Sequence, residues 1–367
     1  MKWTPLILGA LVQAGRAAAT VFEAEEADPA GFRVELASDF LGTNDGQWLE
    51  SAAEVRWQDG ADEVRLTAEQ GWMGFDYQPA RGLDFFGYAT RIEGDHEGGH
   101  MGWRRTWGTW QGHGRVGGYS GFQDYRALWL SEYYFQQYDG FAAYRRPDPA
   151  GVDMLVGLGR EFGSRRLMLR GDVGLRRDWV APGYTIGTLG LPIRGREVFD
   201  TVTGRIEVEA VPSSVWRLSG ELRMQETTSR DIRYGGLWTA AGALAPHFVL
   251  HATLGGALEP SNFYAGSAQL GMEVDRDNRW FAGVSGRLYA DDGEWNPASP
   301  AQRTAPGLQA RALEMHLRFV SDRWSWLLAA GPYWTDYGRP VGEQLLLSNM
   351  YLDRSWVSCR MAVALNF

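Results

Sequence analysis

Two residue types are nearly missing from this 367-residue sequence. Cysteine occurs once, at Cys359, which excludes an intramolecular disulfide framework and a thiolate metal cluster. Lysine occurs only at Lys2, so every later basic side chain is arginine, whose planar fork of donors suits ion-paired walls. Basic residues are also in deficit, 36 against 45 acidic, for a net charge of −9. That balance excludes the basic surface that binding to a phosphate backbone requires, so nucleic acid is not an expected partner. Long apolar runs are absent too, and no segment after the N-terminus approaches the roughly 20 apolar residues of a membrane-spanning helix. Without such a helix, a membrane protein has to cross as a closed barrel of strands.

What is abundant points the same way. Glycine at 47 residues and aromatics at 13% fit a β-protein with many tight turns and an aromatic belt. From Gly31 onward, segments of about 9 to 13 alternating residues recur between turn signals. The clearest hairpin covers residues 202–224. Val202, Gly204, Ile206, Val208 and Ala210 alternate with Thr203, Arg205, Glu207 and Glu209; after Pro212, Ser213 and Ser214, Trp216, Leu218, Gly220, Leu222 and Met224 alternate with Arg217, Ser219, Glu221 and Arg223. A turn centred on Ser213 predicts that Glu209 faces Arg217 and Arg205 faces Glu221. Each such cross-strand pair is worth a few tenths of a kcal/mol, up to ~1. The preceding strand repeats the pattern, with Arg170, Asp172 and Arg176 on its polar face.

A soluble β-sandwich also alternates, but its strands are usually about 5 to 6 residues long, against the roughly 9 to 11 that a tilted strand needs to cross a bilayer. Connection lengths alternate as well. Short turns are expected at residues 58–62, 163–164, 212–214, 245–246, 275–278 and 321–323, and longer connections over 179–199, 291–306 and 336–348. Aromatics at Trp216, Phe248, Trp280 and Trp324 follow short turns, where they would form a girdle at one membrane interface.

The last segment, residues 355–367, carries the most specific signal. Phe367, Leu365, Val363, Met361, Cys359 and Val357 fall on one parity, and Asn366, Ala364, Ala362, Arg360 and Ser358 on the other, giving one continuous apolar face. An apolar-alternating final strand ending in phenylalanine resembles the C-terminal strand of Gram-negative outer-membrane β-barrel proteins. The resemblance implies that Phe367, Leu365 and Val363 serve as an assembly signal read by the barrel-assembly machinery, that lipids and lipopolysaccharide surround the protein, and that Arg360 points inward.

The start of the chain agrees. Lys2, the apolar run 6–12 and Ala17, Ala18 and Ala19 describe a secretory signal peptide over 1–19. An acidic segment at 20–30 follows, and the barrel occupies 31–367. The expected fold is all-β, an antiparallel transmembrane barrel of about 18 strands with about 16 as the alternative, at roughly 20 residues per strand and connection. An even number places both termini in the periplasm.

Among motifs, His96-Glu97-Gly98-Gly99-His100 matches H-E-x-x-H. Zinc proteases need that spacing on a helix, where i and i+4 share a face. Gly94, Gly98, Gly99 and Gly102 each cost a helix about 1 kcal/mol, so the segment reads as a turn or loop between strands. His247 and His251 lie by a short turn, the wrong end for a hydrolase acting at the outer rim, and His316 lies on a polar face. Gly157, Gly159 and Gly163 precede no helix and read as strand curvature beside a turn. The aromatics of 129–138 read as lipid- or headgroup-facing, with a sugar-stacking track as the other reading. No catalytic residue, metal site or cofactor is expected.

The charged face carries the functional expectation. Arg170, Asp172, Arg176, Arg205, Glu207, Glu209, Arg217, Glu221, Arg223 and Arg360 would line a water-filled pore and set up a transverse field that selects small polar or charged solutes. The same residues could instead simply brace the wall. The expected function is a porin-like or exporter-like channel for small hydrophilic solutes or an anionic polysaccharide. The alternatives are an outer-membrane lipid or lipopolysaccharide hydrolase and a closed structural or partner-binding barrel.

Overall fold

The structure, a computed structural model, describes residues 31–44, 46–76, 91–123, 128, 148–163, 166–186, 192–228, 230–260, 263–293, 307–337 and 353–366. The signal peptide, the acidic segment, the aromatics of 129–138 and the terminal Phe367 lie outside the described residues. The strands are β1 (Gly31–Gly42), β2 (Gly46–Asp59), β3 (Asp62–Asp76), β4 (Arg91–Trp107), β5 (Trp110–Gly121), β6 (Ala150–Phe162), β7 (Leu167–Ile186) and β8 (Pro192–Ser213). They continue as β9 (Trp216–Thr227), β10 (Arg233–Ala245), β11 (Phe248–Glu259), β12 (Phe263–Arg276), β13 (Trp280–Asp291), β14 (Leu308–Val320), β15 (Trp324–Tyr337) and β16 (Arg354–Asn366). Each pairs antiparallel with its neighbours in the chain, and β1 pairs with β16 to close the barrel.

The described residues form 16 strands in the closed barrel, which is the alternative count expected from the sequence and not the leading one of 18. The strands run from 12 to 22 residues, longer than the sequence periods, because backbone pairing continues after the apolar alternation stops. The clearest case is the expected long connection over 179–199. There β7 and β8 stay paired as far as Ile186↔Pro192, past a register shift between Val180 and Gly183.

Residues paired across strands share a side of the sheet, so each row of partners assigns faces all round the barrel. One side carries exposed Leu, Val, Ile, Met and Trp from every strand, among them Leu36, Leu66, Met101, Val156, Leu169, Ile206, Leu222, Leu254, Leu270, Met315 and Leu365. This is the outer face. Large apolar side chains left exposed over a band about 25 Å tall are what a bilayer, not water, accommodates. Trp280, Phe319, Trp324 and Trp326 pack edge-to-face and stacked at its short-turn end, with ring centroids 4.9 to 6.3 Å apart.

Following the partners once around the barrel returns to β1 about 18 residues further along, which for 16 strands implies a tilt of about 38° and a backbone radius of about 15 Å. A bore of that size is too wide for wall side chains alone to fill. The inner face is therefore where the site has to be.

Candidate functional site in the barrel interior

All ten charged residues expected to line a pore fall on the inner face. The partner rows join Arg170 with Glu207, Asp172 with Arg205, and Arg176 with Thr201, while Glu209, Glu207 and Arg205 oppose Ser219, Glu221 and Arg223. Arg217 opposes Ala241, and Arg360 opposes Ala329.

The register differs from the one expected for the 202–224 hairpin. The turn falls at Ser214 and Val215, with Ser213 opposite Trp216, and a one-residue irregularity follows between Ala210 and Ser213. Together they displace β9 by two residues from the expected register, so like charges stand opposite each other, Glu207 against Glu221 and Arg205 against Arg223. The expected partners still meet, but diagonally: Arg217 reaches Glu209 at 2.6 Å and Arg205 reaches Glu221 at 3.6 Å. Long arginine side chains span the diagonal of a sheet, so the pairing survives an error in register that short side chains would not.

These contacts extend into a network across β5 to β9. Asp172, 5% exposed, takes both Arg205 and, 2.7 Å away, His113 Nε2. Arg170 bridges Glu207 and Gln111 at 3.1 Å each. Arg223 binds Glu221 at 2.7 Å. Arg176 binds Asp178 at 2.8 Å and lies over the Tyr119 ring, whose hydroxyl donates to Asp178 at 2.6 Å. Arg115 binds Asp153 at 2.9 Å. At the closing seam Arg360 Nε donates to Asp39 at 3.0 Å, joining β16 to β1.

A pattern that the sequence did not disclose organises the histidines. His113, Gly157 and Asp172 occupy one row on β5, β6 and β7. His316, Gly283 and Glu273 occupy one on β14, β13 and β12, with His316 Nε2 3.0 Å from Glu273. In both rows the imidazole reaches its carboxylate across the intervening strand, over a glycine. A Cβ on Gly157 would lie 2.5 Å from the His113 ring, and one on Gly283 2.5 Å from that of His316. His100, Gly117 and Asp153 form a third row, and His96, Gly71 and Glu50 a fourth. The only linear trace is glycine at strand positions where a side chain would be expected. Its partners lie on neighbouring strands, 10 to 44 residues away, at separations set by turn length and register, so no local spacing could reveal it.

The H-E-x-x-H motif is in β4, not in a turn or loop. Its glycines leave room for neighbouring groups: a Cβ on Gly98 would meet Glu69 Oε1 at 2.9 Å. In a strand, His96 and His100 share the inner face about 13 Å apart, while Glu97 lies on the other side. No group of three or more metal-ligating side chains occurs among the described residues. The expected outcome for refolded protein is no stoichiometric zinc, and zinc content unchanged by His100→Ala, as read by elemental analysis.

The hydrolase arrangement needs serine, histidine and acid together at the long-loop rim. His247 is instead in a short turn, 2.7 Å from Asp275. His251 shares a row with Gly271 and Ser285, but no hydrogen bond joins His251 to Ser285.

No protein-family model matches this chain, and no curated protein matches it. Solved structures do. CdiB from Acinetobacter baumannii superposes with a TM-score of 0.58 at 10% identity, over 92% of this chain and 60% of that one, so this chain spans about three fifths of its length. A bacterial polysaccharide outer membrane secretin gives 0.49 at 8% identity over 92% and 98%, and the TodX deltaS2S3 mutant monoaromatic hydrocarbon channel 0.47 at 12% over 92% and 91%. At such identities the likeness is one of architecture. This chain has the closed-barrel fold of Gram-negative outer-membrane β-barrel proteins.

Proposed function

We propose that this protein is an outer-membrane channel that passes small hydrophilic solutes through its interior. The observation that carries the reading is the combination of bore and lining. A barrel of about 15 Å backbone radius has an apolar exterior and a wall of charged side chains held in fixed pairs. Such pairs keep the wall wet without the cost of isolated buried charge, and they fix dipoles across the path of a solute. In this reading β16 is the segment engaged by the assembly machinery, and the short turns and both barrel termini face the periplasm.

Planar-bilayer recording is the direct test. Folded protein should give stepwise conductance, and Arg205→Ala and Arg217→Ala should each change the reversal potential in a salt gradient. Well-folded protein with no conductance would refute the reading.

One observation favours a second reading, a closed barrel. After β5 the chain turns at Gly121, whose φ is +94°, and Phe122 N donates to Asp95 O at 2.8 Å. Phe122 and Leu128 are then 2% and 0% exposed. A Cβ on Gly94, on the inner face of β4, would lie 2.9 Å from Leu128 Cδ1. Apolar side chains from the β5–β6 connection thus pack on the inner wall. Conductance that rises severalfold in Leu128→Asp would favour this reading.

A further inference from the structure

The inner wall contains nearly as many arginines as carboxylates, so its selectivity depends on which charges are left uncompensated. Among the described residues, the inner-face arginines of β5 to β9 are not free. Arg115, Arg170, Arg176, Arg205, Arg217 and Arg223 each have a carboxylate within 3.1 Å. On the opposite side of the seam Arg360 is held by Asp39. The carboxylates of β1 to β3 divide into paired and open ones. Glu54 binds Arg56 and Arg65 at 3.1 and 3.4 Å, and Glu63 binds Arg65 and Arg104 at 3.1 and 2.6 Å. Among the described residues, Glu35, Glu50 and Glu69 on the same inner face have no hydrogen-bond or ion-pair partner, three carboxylates against one similarly open arginine, Arg33 opposite Arg56. Glu50 and Glu69 are exposed to the interior.

A second observation comes from the histidine rows. In two of them the carboxylate is bound by its histidine across the glycine, at 2.7 and 3.0 Å. In the row Glu50–Gly71–His96 that contact is not made: Glu50 stays open, and the buried Nδ1 of His96 has no hydrogen-bond partner. Electrostatically, Glu50 feels His96, Asp39, Glu69 and Arg360. Of these Asp39 and Arg360 already neutralise each other. What remains facing the path is net negative.

We propose that Glu50 and Glu69 make this interior cation-selective, so that the solutes it passes are small cations and neutral polar molecules and not an anionic polymer. The inference rests on the channel reading and narrows it. Rows of paired arginine and carboxylate present no net charge to a passing ion beyond a few ångströms, whereas two open carboxylates on adjacent strands attract cations and repel anions along the wall. Ionic screening extends about 10 Å at 0.1 M salt, comparable to the half-width of the bore, so the effect should be strongest in dilute salt.

The test is the reversal potential of single channels in a tenfold KCl gradient, at low and at high ionic strength. The wild type should favour K+ over Cl− by several-fold in dilute salt, and less so in concentrated salt. Glu50→Gln/Glu69→Gln should lose most of that preference. Glu226→Gln, on the outer face of β9, should keep it. Heat-modifiable migration in gels would verify that each variant is folded. An anion-selective or unselective wild-type channel would overturn the proposal while leaving the channel reading intact, as would a Gln pair that keeps the wild-type ratio. Absence of any conductance in all variants would overturn both.

Discussion

Asp172→Ala should destabilise the folded barrel by about 2–3 kcal/mol, read as a shift in urea midpoint at constant slope in detergent micelles. Asp172 is nearly inaccessible and has two partners on different strands, the Arg205 guanidinium on β8 and the His113 imidazole on β5. Removing one member of a buried ion pair costs about 3–5 kcal/mol, because the other charge is left without compensation. Arg205 is a quarter exposed and retains Glu221 at 3.6 Å, which places the expected loss toward or below the lower end of that range. The opposite outcome is informative too. A change below about 0.5 kcal/mol, the size of an exposed pair, would mean that interior water solvates Arg205 fully. Glu209→Ala provides the comparison: its partner Arg217 and Glu209 itself are 31% and 39% exposed, so its loss should stay under about 1 kcal/mol.

Gly331→Val is expected to have the other large effect, on assembly of the barrel itself. Gly331 is in β15, and a Cβ there would collide with the carbonyl oxygen of Leu313 on β14. That obstacle is backbone, so it cannot rotate away as a side chain can. The pairing of β14 with β15 is already interrupted at this point, between Ala312↔Tyr333 and Met315↔Ala330, and Pro332, next in the chain, has no amide hydrogen to donate. Forcing the strands apart here should cost about 2–4 kcal/mol and lower the yield of heat-modifiable barrel severalfold. Gly204→Ala and Gly286→Ala have no atom within 4 Å of the added carbon and should assemble normally. If all three assembled equally well, the close approach at Gly331 would not be a constraint on the fold.

Much of the fold was legible along the chain because strand alternation is a local property with a period of two. It identified which residues of β7, β8, β9 and β16 face inward, Arg360 included, and it separated bilayer-length strands from sandwich strands. The limits appeared where alternation stops being informative. The stretch 179–199 read as a connection, yet the backbone remains paired as far as Ile186↔Pro192, since hydrogen bonding between main chains does not depend on the apolar pattern. The H-E-x-x-H segment read as a turn or loop because glycine is a poor helix former; in β4 its glycines are the space into which neighbouring side chains fit.

The strand class, the apolar exterior and the charged interior face could all be read along the chain, because each follows from residues adjacent in it. The tertiary structure decided the closure at 16 strands, the diagonal ion pairs and the carboxylate–glycine–histidine rows. It also decided which carboxylates are left open. Those features depend on register between strands, which turns, bulges and closure set together, and a shift of two residues leaves the alternation unchanged while choosing new partners for every charge.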